Sequence, residues 1–264
     1  MAFFTIHYSL FTSLMFIKIC ANTNLQDAQL AAELGADAVG FVFAPSRRRM
    51  IASQVAEITP HLPGSVLTVG VFATTDADEI IRAVREAGLQ AAQLHSELNP
   101  ELIAKLNEAF EGHVQLIQTV PFNVYSGDNA GFSATLARTL TTPGLRAVLV
   151  DAARRGQSGG LGMAFDWELA AQEIRLACNT AAAASGADLP PLIVAGGLHS
   201  RNVASAIEVL KPWGVDVASG VELSPGRKDP LRLRQFISAA RGSAGWTEPW
   251  TPLTPKGGKK PAKT

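Results

Sequence analysis

Two groups that could exchange protons sit where short apolar runs end. They are the thiol of Cys20, at the end of Phe16–Cys20, and the carboxyl of Asp151, at the end of Ala147–Asp151. A thiol acts as base or nucleophile once ionised. A carboxyl whose charged form is desolvated keeps its proton toward neutral pH and can serve as an acid. The residues alone leave Cys20 balanced between that role and a small buried hydrophobe, whereas Cys178, within a helical stretch, reads as the buried kind. Arg47, Arg48 and Arg49 follow the second apolar run. Three adjacent guanidiniums are costly to gather without an anion, and arginine grips a carboxylate through two parallel hydrogen bonds. One arginine is expected to point inward and two outward; the alternative is a solvated basic loop. Gln93 and His95 share one side of the fourth run, equally suited to bracing loops or touching a ligand.

Glycine marks three further run ends. Ser158-Gly159-Gly160-Leu161-Gly162 follows Asp151, either to let a ligand approach the backbone, at Gly160 for instance, or only to give the loop mobility. Asp166 beyond it reads as a helix cap. Gly196-Gly197 and Ser219-Gly220 end the seventh and eighth runs, and paired small residues there allow backbone amides to converge on a phosphate.

These groups need elements to position them. The apolar runs are Phe16–Cys20, Ala38–Phe43, Leu67–Phe72, Ala91–His95, Val114–Val120, Ala147–Asp151, Leu192–Ala195 and Val215–Ala218. Amphipathic stretches alternate with them at Leu25–Leu34, Ser53–His61, Asp76–Ala87, Pro100–Phe110, Trp167–Cys178, Arg201–Leu210 and Pro230–Arg241, with a weaker one in Asn123–Thr142. Thr23 with Gln26 suggests a capping box, and Asp229-Pro230 a capped helix start. Gly35 and Gly88 suit left-handed helix stops. Strict alternation implies parallel strands. Residues 15–242 allot about 28 to each unit, near the ~30 of a βαβ repeat. A single-domain (β/α)8 TIM barrel is therefore expected, ahead of an open doubly wound sheet, whose glycine fingerprint is missing after the first strand. In such a barrel all the candidate residues gather at one end.

The chain of 264 residues has 23 Lys+Arg and 23 Asp+Glu, so it offers no field for collecting nucleic acid. At 47% hydrophobic and 17% charged residues it can bury a large core. Two cysteines build no disulfide framework and suit a reducing, cytoplasmic setting. Residues 1–14 lack the marks of a signal peptide and are too short and too polar to span a bilayer. They read as a non-essential extension, with Met15 as a natural first residue. Residues 243–264, rich in Pro, Gly and Lys, read as a flexible tail, although Trp246 and Trp250 could pack onto the body.

Taken in order, Lys18-Ile19-Cys20, Gly40-Phe41-Val42-Phe43, Gln93-Leu94-His95, Asp151 with the glycine loop through Phe165-Asp166-Trp167, Ala195-Gly196-Gly197-Leu198, Val217-Ala218-Ser219-Gly220-Val221-Glu222 and Pro225-Gly226-Arg227-Lys228-Asp229 resemble the phosphoribosylanthranilate isomerase family of tryptophan biosynthesis. The resemblance covers nearly everything from Phe16 to Arg241. It implies a (β/α)8 barrel that carries N-(5-phosphoribosyl)anthranilate to 1-(2-carboxyphenylamino)-1-deoxyribulose 5-phosphate without metal or other cofactor. By the same resemblance Cys20 is the base at C2 and Asp151 the acid at the ring oxygen. Arg48, with Arg49 as fallback, holds the anthranilate carboxylate. Gln93, His95 and Gly160 adjoin the substrate, and Gly196, Gly197, Ser219 and Gly220 bind its phosphate. The implied partner is a small phosphosugar, with neither nucleic acid nor membrane, and the protein is a monomer or homodimer.

Three features depart from the family pattern. Ala21 stands where glycine usually follows the cysteine, with Asn22 at a commonly aliphatic position. Leu161 and Met163 replace Thr and Lys, and Ser96 replaces a glycine. Two other readings fit the barrel. One is a related phosphosugar enzyme, although the histidine-pathway isomerase would carry aspartate at position 20 and indole-glycerol-phosphate synthase needs lysines at the strand ends. The other is a barrel that binds a phosphorylated ligand without turnover.

Overall fold

The structure, a computed structural model, describes residues 15–122, 131–151, 167–186 and 188–243. Eight parallel strands close into a barrel in which β1 (Phe16–Ile19) pairs with both β2 (Ala38–Val42) and β8 (Gly214–Val217). Between them run β3 (Leu67–Phe72), β4 (Ala91–Leu94), β5 (Gln115–Pro121), β6 (Ala147–Asp151) and β7 (Leu192–Ala195). The expected TIM barrel is the observed fold.

The crossover helices are α1 (Leu25–Glu33), α2 (Ala52–Ala56), α3 (Ala77–Glu86), α4 (Pro100–Phe110), α5 (Phe132–Leu140), α6 (Trp167–Ser185), α7 (Val203–Leu210) and α8 (Pro230–Gly242). The helix expected over Ser53–His61 is instead α2 and a separate 3-10 turn at Thr59–His61, because Pro60 lacks the amide that would continue α2. α6 runs past Cys178 to Ser185, since Asn179 and Thr180 are followed by four alanines, the best helix formers. The segment 123–130 and the glycine loop with Asp166 lie outside the described residues, as do residues 1–14, Trp246 and Trp250.

The cap of α1 also differs from expectation. Asn24, not Thr23, accepts from an amide, that of Asp27. The Thr23 hydroxyl donates instead to the Gly226 carbonyl, tying the loop after β1 to a hairpin formed by β9 (Glu222–Ser224) and β10 (Arg227–Lys228). Asp229 caps α8 as expected, accepting from Leu231 and Arg232, and Gly35 and Gly88 adopt left-handed φ of 96° and 61°.

Alternation along each strand divides the core. One parity (Ile17, Ile19, Val39, Phe41, Val215 and Val217) packs outward under the helices. The other fills the barrel with Ala38, Val69, Ala91, Ile117, Leu149, Ile193 and Ala195. Its floor is the stacked pair Phe16–Trp213, with ring centroids 4.4 Å apart. Two residues further along the same parity come Lys18, Gln93, Thr119, Asp151 and Asp216. The barrel is thus apolar at the floor and polar toward the C-terminal ends of its strands.

Ala21, directly after Cys20, is buried and left-handed at φ 61°. Such a conformation costs a non-glycine residue about 1–2 kcal/mol. Ala21→Gly relieves that strain and adds unfolded-chain freedom worth about 0.4–1 kcal/mol. A net stabilisation of roughly 0.5–1 kcal/mol is expected in urea unfolding; a lower midpoint would show that Ala21 is unstrained.

Candidate active site

β1 carries two functional groups into the barrel. The Lys18 side chain is fully buried, and Cys20 lies one step nearer the mouth, its amide donating to the Val217 carbonyl at 2.8 Å. Across the β1–β8 seam, Asp216 is the direct register partner of Lys18, and the Lys18 Nζ lies 3.1 Å from its Oδ1. On the other side β2 contributes Gly40. A methyl there would lie 2.8 Å from the Cys20 Sγ and 3.1 Å from the Lys18 Nζ. The missing side chain leaves a space that both the Lys18 ammonium and the Cys20 sulfur border.

The electrostatics follow from burial. Desolvation pushes the Cys20 thiol above its ordinary value, while the nearby Lys18 ammonium pulls it back. Burial also works against the Lys18 charge, but Asp216 foremost, and then Cys20, hold the ammonium above the usual lysine value. On the far wall, burial pushes the Asp151 carboxyl upward; His95 opposes this, Asp216 adds to it, and Lys18 opposes it more weakly. The Lys18–Asp216 pair therefore acts on both candidate proton carriers. One is a carboxyl biased to keep its proton, the other a thiol beside a fixed positive charge.

Of the three arginines, Arg48 is half-buried and Arg47 and Arg49 are exposed, one inward and two outward. Arg48 binds the buried Glu222 bidentately: Nε donates to Oε1 and Oε2 at 2.8 and 3.0 Å, and Nη2 to Oε2 at 2.6 Å. Glu222 also accepts from the Gly226 amide, and the Lys228 Nζ stands 3.5 Å away. Burial alone would raise the Glu222 carboxyl, but Arg48, Lys228 and the Gly226 amide together hold it below the usual range. Lys228, itself buried, donates to the Cys20 carbonyl at 2.5 Å. The hairpin β9–β10 is thus clasped onto the loop that carries the thiol.

The glycines after β7 and β8 form one structure. Gly196 and Gly197 are left-handed at φ 92° and 64°, and the Asn202 side chain ties the Gly197 carbonyl and the His199 amide. Ser219 opens a 3-10 turn, Ser219–Val221, and a methyl on Gly220 would lie 1.9 Å from the Leu198 carbonyl oxygen. Only glycine lets the two loops touch.

Gln93 lies a layer deeper, donating to the Thr119 hydroxyl at 3.1 Å, and its Oε1 has no partner among the described residues. His95 is exposed at the mouth and acts on Asp151. Gly160 lies outside the described residues. Among the described residues no three His, Cys, Asp or Glu side chains group as a metal site requires, and no helix is long and apolar enough to cross a membrane.

Sequence reasoning missed Lys18, Asp216, Glu222 and Lys228 as site residues. The signal was present for Lys18, which shares its parity with Phe16 and Cys20. Closure of β1 on β8 then sets Asp216 opposite.

Comparison with known proteins agrees with this geometry. Residues 17–239 match the family described as N-(5'phosphoribosyl)anthranilate (PRA) isomerase. A relative named N-(5'-phosphoribosyl)anthranilate isomerase, from Rubrobacter xylanophilus, is 38% identical over 226 residues, 85% of this chain and 98% of that protein. The crystal structure of phosphoribosyl anthranilate isomerase from Thermotoga maritima superposes with a TM-score of 0.71 at 34% identity, covering 87% of this chain and 100% of that one. A structure of the same kind of isomerase in complex with reduced 1-(o-carboxyphenylamino)-1-deoxyribulose 5-phosphate gives a TM-score of 0.68 at 33% identity, covering 87% and 100%.

The raised Asp151 carboxyl predicts a pH-dependent stability. A group whose folded value lies above its unfolded value supports the fold fully below the unfolded value, ~3.9 for aspartate, and loses that support as pH rises through the folded value. Asp151→Asn, which cannot ionise, should therefore be more stable than the parent near neutral pH and no more stable near pH ~4. Equal unfolding midpoints at both pH values would remove the case for a desolvated carboxyl.

Proposed function

The chain belongs to the N-(5'-phosphoribosyl)anthranilate isomerase family, and from that premise we infer how its own side chains carry the reaction. It is an isomerase of tryptophan biosynthesis with a phosphosugar substrate. We propose that Asp151 protonates the furanose ring oxygen of N-(5-phosphoribosyl)anthranilate. The C1–O bond breaks, and the nitrogen lone pair forms the Schiff base at C1. The Cys20 thiolate then removes the proton from C2, and the released electron pair neutralises the Schiff base as an enamine bearing a hydroxyl at C2. Protonation at C1 and loss of that hydroxyl proton give the 2-keto product. The substrate oxidises its own C2 while its C1 is reduced, and the side chains only donate and accept protons, so no external oxidant or reductant is consumed.

The observation that carries this assignment is electrostatic: one ion pair, Lys18–Asp216, acts on a carboxyl biased toward its protonated form and on a thiol beside an ammonium. The opposite demands on acid and base are met by the two ends of that pair, the ammonium favouring the thiolate and the carboxylate favouring the neutral Asp151.

Arg48 is the carboxylate holder, with Arg49, exposed, as the weaker candidate. Glu222 engages the Nε and Nη2 of Arg48, which leaves Nη1 with its two N–H groups for the anthranilate carboxylate. The phosphate falls to Gly196, Gly197, Ser219 and Gly220, where two small-residue turns meet at the strand ends. His95 and Gln93 complete the wall, and Gly160 is the remaining substrate-binding candidate. The matched span, residues 17–239, supports residues 15–242 as the catalytic unit, and the sparse cysteine content suits action in the cytoplasm.

Complementation of a tryptophan auxotroph lacking this isomerase tests the assignment. The parent chain and a form lacking residues 1–14 should restore growth. Cys20→Ala and Asp151→Ala should each lower turnover by about 10²–10⁴-fold. Arg48→Ala should raise KM more than it lowers kcat. Undiminished growth with both Cys20→Ala and Asp151→Ala would discard the proton carriers named here.

A further inference from the structure

A buried thiol in an apolar barrel resists ionisation, yet a thiol base must pass through the thiolate. Several charged groups act on Cys20. From its own strand comes Lys18; from β8, Asp216; from β10, Lys228; and from the loop after β2, Arg48. Glu222 pairs with the last two. In their ionised forms three cations thus stand against two carboxylates, with burial holding Lys228 below the usual lysine value and biasing Asp151 on the far wall toward its neutral form. The cluster carries one positive charge more than its carboxylates balance, and a thiolate at Cys20 would close it to neutrality.

The cations are not equivalent. Arg48 is committed bidentately to Glu222. Lys228 donates to the backbone carbonyls of Cys20 and Ala218 and faces Glu222. The Lys18 ammonium borders the same space beside Gly40 as the Cys20 sulfur, is held from the other side by Asp216, and is the foremost charge acting on the thiol. It is fully buried, so neither water nor salt screens its charge.

We propose that Lys18, anchored by Asp216, is the positioning residue that makes the Cys20 thiolate accessible to the reaction, with Asp216 restraining how far that stabilisation goes. This rests on Cys20 being the base. The pair is a tuned device: the ammonium favours the thiolate, and the carboxylate beyond it shares that ammonium and opposes a second nearby anion. Removing either partner should therefore move the thiol in opposite directions, whereas a purely structural ion pair would not.

The test is a titration of ultraviolet thiolate absorbance in the full chain bearing Cys178→Ser, so that Cys20 is the sole cysteine, with Cys20→Ser/Cys178→Ser as blank. Lys18→Met should raise the Cys20 midpoint by at least about one pH unit, a tenfold loss of thiolate at fixed pH. Asp216→Asn should lower it. Lys18→Met leaves Asp216 buried and unpaired, so it is accompanied by the uncharged pair Lys18→Met/Asp216→Asn, whose midpoint should also lie above that of the parent. In turnover, the Lys18 variants should lose kcat near neutral pH and regain it as pH rises, with KM little changed. A midpoint unmoved in the double variant, or shifts of the same sign in the two folded single variants, overturns the proposal. Full turnover by Cys20→Ser alongside the expected midpoints would instead remove Cys20 as the base while leaving its coupling to Lys18 intact.

Discussion

The buried ion pair between Lys18 and Asp216 is the constraint around which the rest of the barrel is arranged. Neither group is solvated well enough to carry its charge alone, and a single unpaired charge at that depth would cost several kcal/mol. Their pairing depends on closure. Lys18 and Asp216 are 198 residues apart in sequence and become neighbours only because β1 completes the barrel against β8. A sheet left open at that seam would strand both charges. The pair thus penalises incomplete closure, and the closed barrel gains a fixed dipole at the β1–β8 seam.

That dipole matters because of the layer beneath it. Phe16, Trp213, Ile117, Leu149 and Ile193 fill the lower barrel with hydrocarbon, so no water solvates the polar layer from below. Desolvation heads the causes acting on Cys20, Lys18 and Asp151 alike, and without further help it would neutralise all three. What separates them is the neighbour each meets. Lys18 is held charged by Asp216. Asp151 is pressed further toward its neutral form by the same carboxylate, while His95 and Lys18 limit the effect. One carboxylate therefore keeps an ammonium charged and discourages a second carboxylate from ionising.

Much of this was legible in the sequence because parallel barrels repeat a simple rule. Alternating apolar runs and amphipathic stretches determine the fold, and the end of each run marks the mouth, which is why Cys20, Arg48, Asp151 and the paired small residues could be named in advance. What escaped notice is instructive. Lys18 shows in the sequence only as part of a strand, because a lysine in an apolar run declares no partner until barrel closure supplies one. Glu222 and Lys228 escaped because their neighbours, Arg48 and the Cys20 carbonyl, are far away in sequence and are reached through a hairpin that no periodicity announces. Thr23 was mistaken for a cap for the same reason: its hydroxyl answers a carbonyl 203 residues on. Local pattern identifies elements and their ends; it does not identify which buried charges meet across them.

The hairpin also explains how a loop without its usual glycine is held. Ala21 is forced into a left-handed conformation immediately after the thiol, and a chain free to relax would rotate away and take the sulfur with it. Several contacts oppose that. The Asn22 amide and side chain both bond the Gly40 carbonyl, and its side chain also bonds Ile19. Thr23 bonds Gly226; Asp27, in the first turn of α1, accepts from the Lys228 amide; and the Lys228 ammonium takes the Cys20 carbonyl. The position that has lost glycine's freedom is therefore fixed on both sides by groups that do not themselves move protons. Arg48 joins the same clasp through Glu222, so the group that would grip the substrate's carboxylate and the loop that carries the base are anchored to one hairpin. Strain at Ala21 is tolerable because the conformation it disfavours is the one these contacts enforce, and the geometry of the thiol rests on that enforcement more than on the local preference of the chain.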